Sequence, residues 1–273
     1  MAVGSTRRLT WVLRQLCWVL ASIALYFGIR GLTAGDPGRA VQHAHQVLRL
    51  EQHLGLAWER TSQAATDGSD ALVDVANWVY IWGHWPVIAI VLLCLALWRR
   101  TIYLRLRNAM MISGLIGMVV FATYPVAPPR LAALGLTDTV TERSRAYRVL
   151  QPPAFVNQYA AMPSLHAGWD LLVGLALIAV AGPIVVRVVG VLLPTVMALA
   201  VVVTGNHYVL DVLGGILLAL VGHAGALWLE RDRERSVARA VRAALPEQLA
   251  CVDDRAPAEG ISHAATRRRE ALR

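Results

Sequence analysis

His207 and Asp211 stand four residues apart in the stretch TGNHYVLDVLGG (204–215). On a helix that spacing puts both side chains on one face. A carboxylate there can accept the N–H of one imidazole nitrogen, fix the tautomer and leave the other nitrogen with a lone pair. Such an imidazole is a nucleophile or a general base. His166 and Asp170 repeat the spacing in MPSLHAGWD (162–170), so spacing does not say which pair holds the nucleophile. The second imidazole is suited to protonating a leaving oxygen as a general acid. Arg130, which closes YPVAPPR (124–130), supplies a planar, permanently charged fork for an oxyanion, phosphate above all. Two histidines, a carboxylate and an arginine, without a serine nucleophile elbow or a metal-binding set, point to phosphoryl transfer through a phosphohistidine. Haem ligation by two histidines is the rival chemistry. It would want the pair stacked across facing helices within the bilayer, whereas these two sit at one rim. No metal and no cofactor is expected.

The elements that must position these residues are membrane spans. Of 273 residues 56% are hydrophobic and 16% charged, with a mean hydropathy of +0.50. A soluble chain carries about a quarter charged residues, so an ordinary soluble domain is excluded. With 21 Gly, 12 Pro and no low-complexity tract, disordered and collagen-like chains are excluded too. Six weakly charged stretches, residues 9–29, 75–98, 108–127, 165–183, 188–205 and 208–229, are each near the roughly 20 residues that cross a bilayer. The expected fold is all-α, a polytopic membrane protein of six transmembrane helices over 1–230, followed by a polar cytoplasmic tail, 231–273, that ends disordered. Counting spans along the chain brings Arg130, His166, His207 and Asp211 to one face at one depth.

The formal charge is +8, with arginine as the only basic type besides histidine. With the N-terminus inside, the inner segments hold 12 Arg in 36 residues and the outer segments 8 in 88. That asymmetry puts both termini in the cytoplasm and the ionisable cluster at the extracytoplasmic face of the cell membrane. The expected partners are the bilayer and a membrane lipid substrate, not nucleic acid. The outer loop 126–164 is net positive despite the rule. Its Arg143, Arg145 and Arg148 either extend a phosphate cradle or solvate the loop, and solvation is the simpler reading.

The remaining segments have ordinary explanations. Residues 38–60 mix apolar and charged positions at helical spacing, which predicts an amphipathic helix on the outer surface, with His43, His45 and His53 solvated. His84 and His223 read as interfacial residues. Asp170 either orients His166 or reaches the interface. Asn206 and Tyr159 are candidates for a supporting role behind the site. Cys17, Cys94 and Cys251 show no disulfide or metal spacing.

YPVAPPR, NQYAAMPSLHAGW (157–169) and TGNHYVLDVLGG, with the six-span plan and a helix carrying Glu51 ahead of the second span, resemble the type 2 phosphatidic acid phosphatase superfamily. Within it the resemblance is to the branch typified by fungal inositol phosphorylceramide synthase and its bacterial relatives, over roughly residues 9–230. The resemblance implies that His207 attacks phosphorus, Asp211 orients it, and His166 protonates the leaving oxygen and later activates water or an acceptor hydroxyl. It implies that Arg130 holds the non-bridging oxygens with help from Ser164 at a helix start. The chain departs from the phosphatase branch in three ways. It has no Lys in the first motif, Ala200 and Val201 where a Ser-Arg pair precedes the last histidine, and Leu165 in place of a Gly. A phosphodiester carries one negative charge where a monoester approaches two, so a cradle with fewer cations suits the diester better. The expectation is therefore head-group transfer through a phosphohistidine. The alternatives are a lipid phosphate monoesterase of the phosphatidic acid or polyprenyl diphosphate type, and a non-catalytic lipid-binding or transport protein.

Overall fold

The computed structural model describes residues 10–22, 24, 28, 36–144 and 157–253. Arg145, Arg148, parts of the expected first span, the tail beyond residue 253 and the side chain of Cys251 lie outside the described residues. The chain is helical over residues 10–22 (α1). There follow α2 (Pro37–Leu54), α3 (Glu59–Asp67), α4 (Asp70–Trp82), α5 (Trp85–Trp98), α6 (Arg100–Thr123), α7 (Thr139–Arg143), α8 (Leu165–Ala179), α9 (Ile184–Val203) and α10 (Val209–Asp253). Among the described residues there is no strand, and extended pairing is limited to one parallel bridge between Val126 and Ala160. The chain forms two compact units, Met1–Leu227 and Trp228–Arg273. Within the second, residues 228–253 are helical, and Arg231, Arg233, Arg235 and Arg239 are exposed.

By length and composition α6, α9 and the Val209–Val241 part of α10 are apolar and long enough to cross a membrane, and α4 with α5 makes a fourth candidate if the bent pair is one span. The uninterrupted span expected over 75–98 is in fact broken. α4 stops at Gly83, α5 starts at Trp85-Pro86, and the two axes differ by 43°. Pro86 has no N–H to donate and is tolerated only in a first turn, so the helix must restart there. The stretch expected to cross over 165–183 is helical for 15 residues, Leu165–Ala179, a rise of only about 22 Å. α6 begins earlier than its uncharged stretch and ends at Thr123, because the proline-rich 125–129 segment cannot continue a helix.

The amphipathic stretch 38–60 also divides, into α2 and α3, at Gly55, whose φ of 70° is left-handed. Ala40, Ala44, Val47 and Glu51 line its buried face, against Val126, Ala127, Ala132 and Tyr208. His43 is not simply solvated, as expected: its Nδ1–H donates to the Pro125 carbonyl at 2.8 Å, and its ring stacks on Tyr124 at 4.0 Å. The proline-rich segment is thus clamped onto α2, with the Ala127 N–H donating to the Ala40 carbonyl. Two more buried amides brace the segment between α6 and α7. Gln63 bonds both backbone groups of Thr137, and Asn77 bonds the carbonyl and hydroxyl of Thr139.

α8 lies at the centre, packed on α6, α9 and α10 through Leu165, Trp169, Leu172 and Val173. Large apolar side chains on the outside, such as Ile184, Leu199 and Leu217, are more than 60% exposed, as lipid-facing surfaces are. Without a hydrophobic drive between helices in lipid, small residues let backbones approach. A Cβ on Gly168 would stand 2.5 Å from the Gly215 carbonyl, and one on Gly215 would strike the Ser164 carbonyl. Gly215→Ala is therefore expected to cost about 1–3 kcal/mol through overpacking, read as a lowered unfolding temperature in detergent. An unchanged midpoint would contradict this contact.

Candidate active site

α9 ends at Val203, and the chain reverses through Thr204 and Gly205 (φ 67°) before α10 starts at Val209. The N–H groups of Asn206 and His207 both donate to the Val201 carbonyl, at 3.1 and 3.0 Å, satisfying an orphan group of the helix end. A side chain at Gly205 would be strained by its φ. The turn delivers His207, 6% exposed, to the start of α10.

The His207 ring is held by its Nδ1, 2.8 Å from the carbonyl oxygen of Ala161. A carbonyl has no hydrogen to give, so the proton sits on Nδ1 and Nε2 keeps its lone pair. Asp211 was expected to be this acceptor. Its Oδ2 is 3.4 Å from the same nitrogen and accepts the Tyr208 N–H at 2.9 Å. The carboxylate is completely buried, and its Oδ1 has no hydrogen-bond partner. The carboxyl group is thus the more distant neighbour of Nδ1, and the backbone carbonyl makes the short bond. The Ala161 carbonyl is positioned by the Val126–Ala160 bridge, in which Val126 N–H donates to Tyr159 O and Ala161 N–H donates to Val126 O. Tyr159 contributes through that carbonyl and through its own N–H, bonded to Asn157 Oδ1.

His166, the second residue of α8, sits in a stack of rings. Its centroid lies 4.7 Å from Tyr80, 4.3 Å from His84 and 5.8 Å from His207. Ser164 is the helix N-cap, and its buried Oγ accepts the Ala167 N–H at 3.4 Å. Ser164 N–H donates to the Asp211 carbonyl, tying the start of α8 to the first turn of α10.

Arg130 sits in a short 3-10 turn, Pro129–Leu131, with its backbone N–H on the Gly205 carbonyl. Its Nε donates to Asn206 Oδ1 at 2.9 Å, and Nη1 is 3.4 Å from Asp138 Oδ2. Asn206 is oriented in turn by Thr204. Arg143, by contrast, pairs with Asp70 at 2.7 Å and reaches Asp74 at 3.8 Å, on the exposed surface.

A sequence-family model described as the PAP2 superfamily matches residues 45–225, a stretch that holds every residue of this site. The chain belongs to the PAP2 superfamily. No curated protein and no solved structure matches it. PAP2 membership suggests a phosphatase- or phosphotransferase-type function, and together with the apolar helices it suggests a membrane protein.

Two groups in this PAP2 chain belong to the site's surroundings and were not foreseen. His84, expected at an interface, is 2% exposed and bonds Asp170 Oδ1 through Nδ1 at 2.8 Å. Asp170 thus neither orients His166 directly nor reaches the interface. The second group caps α10. Glu51 Oε1 accepts the Leu210 N–H at 2.7 Å, and Glu59 Oε1 accepts the Val209 N–H at 3.0 Å. Carboxylates from α2 and α3 therefore fill the orphan donors of the last helix. The spacing Ala40, Ala44, Val47, Glu51 is the available signal, since it sets a carboxylate in line with a buried stripe.

Burial, with nearby Glu59 and Asp211 adding to it, pushes the Glu51 carboxyl up to about 8 against the pull of the Leu210 bond. A carboxyl raised on folding contributes stability at low pH that is lost as pH rises through the folded value. The unfolding temperature is expected to fall between pH 4.5 and about 8, and Glu51→Gln to flatten that window. Parallel pH curves for the two proteins would refute the assignment.

Proposed function

We propose that this PAP2 protein transfers the head group of a membrane lipid phosphoester through a phosphohistidine on His207. The observation that carries the reading is the 5.8 Å between the His166 and His207 ring centroids, with the His207 proton held on Nδ1 by Ala161. Nε2 of His207 attacks phosphorus, the bond to the leaving oxygen breaks, and His166 gives that oxygen its proton. Arg130, oriented by Asn206 and Asp138, holds the non-bridging oxygens. An acceptor hydroxyl or water then attacks the phosphohistidine, its proton returns to His166, and the P–N electrons return to Nε2.

Transfer from a diester is favoured over monoester hydrolysis by the cation supply. The chain has no Lys, Ala200 and Val201 stand where the phosphatase branch has a Ser-Arg pair, and Arg143 is engaged by Asp70. This is the chemistry of the inositolphosphotransferase-like branch. In the membrane we assign six crossings to α1, the bent α4–α5 pair, α6, α8, α9 and α10. Both termini are then cytoplasmic, and the site faces the extracytoplasmic side of the cell membrane. The arginine asymmetry supports that orientation.

A lipid substrate is supported by an apolar cavity of about 320 Å³ between α1, α5, α6 and α8. Trp85 and Trp169 line it and also pack on His84, at 5.3 and 6.2 Å, so a hydrocarbon chain in it would end beside the histidines. Ala89 lines the same cavity. Ala89→Trp is expected to lower the long-chain to short-chain turnover ratio about tenfold, the equivalent of roughly two buried methylenes. An unchanged ratio would remove the cavity from substrate binding.

The mechanism is tested by following labelled phosphate from candidate lipid donors, with and without acceptor lipid. His166→Ala is expected to slow turnover about 10²–10⁴-fold, and His207→Ala to abolish acid-labile phosphate on the protein. Retained turnover in the His207 variant would sink the mechanism. Release of inorganic phosphate irrespective of acceptor would make the enzyme a monoesterase.

A further inference from the structure

The break between α4 and α5 leaves His84 in the middle of the uncharged stretch 75–98, where sequence alone offers it no partner. The fold supplies one from α8. Asp170, 0% exposed, places Oδ1 2.8 Å from His84 Nδ1, and its Oδ2 has no hydrogen-bond partner. A carboxylate accepts only, so the shared proton belongs to His84 Nδ1. The other side of His84 is aromatic, with Trp85 at 5.3 Å, Trp169 at 6.2 Å and His166 at 4.3 Å between ring centroids.

A buried pair of this kind has a simple structural explanation, namely that each partner satisfies the other. Its position calls for more. Replacing both partners of a buried hydrogen bond by apolar groups of the same shape is often nearly neutral or stabilising, so packing alone gives no reason for a carboxyl group at this place. The imidazole in contact with the pair is the one that must hold a proton in the first half of the reaction and accept one in the second. Tyr80 from α4, His84 from the α4–α5 break and His207 from the turn before α10 face His166. Asp170 stands behind His84, and Asp211 behind His207. An imidazolium at His166, half-buried among these rings, is favoured by a negative charge nearby.

We propose that His84 and Asp170 are positioning residues for His166. His84 stacks against its ring, and Asp170 supplies through His84 the negative charge that balances the protonated form. The inference rests on the phosphoryl-transfer reading above. In the first displacement the P–O electron pair goes to the leaving oxygen, the His166 proton follows it, and the ring becomes neutral. In the second, the acceptor O–H proton returns to His166 as the P–N pair returns to His207. The proton shared by His84 and Asp170 stays in place throughout.

The test separates charge balance from packing by the leaving group. An aryl leaving oxygen such as p-nitrophenolate departs without a proton, whereas an alkyl oxygen needs one. Single-turnover phosphorylation of His207 is measured with alkyl and p-nitrophenyl donors of the same phosphoryl group. The variants are Asp170→Asn, which keeps the shape, and His84→Asn, whose amide keeps an N–H donor for Asp170. Both are expected to slow the alkyl donor about 10- to 100-fold and the aryl donor less than about threefold. Equal slowing of the two donors, or wild-type rates in His84→Asn, overturns the proposal. Failure of both variants to fold, read from size-exclusion elution, assigns the pair to packing and also overturns it. A wild-type protein inert toward both donors overturns the phosphoryl-transfer reading itself, and the inference with it.

Discussion

The site depends on one hydrogen bond, from Nδ1 of His207 to the carbonyl of Ala161. It fixes which nitrogen carries the proton and which keeps the lone pair, and so, on the proposed mechanism, whether the ring can attack phosphorus. A backbone carbonyl has no side chain to rotate away, but it must be held by the chain around it. The Val126–Ala160 bridge holds it from one side, and the bond from Ser164 N–H to the Asp211 carbonyl holds the start of α8 from the other. The clamp of His43 and Ala40 on the proline-rich segment then fixes Val126. Distant parts of the chain thus converge on the placing of one oxygen atom.

Around that atom the fold collects buried carboxyl groups in two places. Glu51, Glu59 and Asp211 surround the first turn of α10, where they accept N–H groups that the helix leaves without a partner. Asp170 lies behind His84 in the middle of the helix bundle. Arg130 is held by Asn206 and Asp138, so that on the proposed mechanism its guanidinium meets the phosphate already oriented, which spares the reaction the entropy of positioning a long side chain. The two imidazoles would then lie between that fixed cation and two groups of buried carboxyls.

How much of this could be read beforehand differs residue by residue. Arg130, His166 and His207 were picked out by their places at span ends, and the tertiary structure does bring them to one locality. The role of Asp211 was read from i, i+4 spacing, yet its short bond goes to the Tyr208 backbone and the imidazole bonds a carbonyl. Backbone carbonyls carry no residue identity, so no pattern of side chains could have pointed to Ala161. His84 was misplaced for a related reason. Its partner Asp170 is 86 positions away, and an uninterrupted apolar run gave no cause to expect a break with a buried histidine in it.

The chain's composition and local spacing determined that it is helical and apolar, and that the few ionisable groups near helix ends are the chemically interesting ones. These follow from local physics, since hydropathy and helical spacing act on the residues where they stand. Pairing was decided only in three dimensions: Asp170 with His84, Glu51 with α10, Arg143 with Asp70, and His207 with a carbonyl. A hydrogen bond depends on distances of a few tenths of an ångström between groups far apart in the chain. Such distances are set by how closely whole elements approach one another, as α8 and α10 do at Gly168 and Gly215.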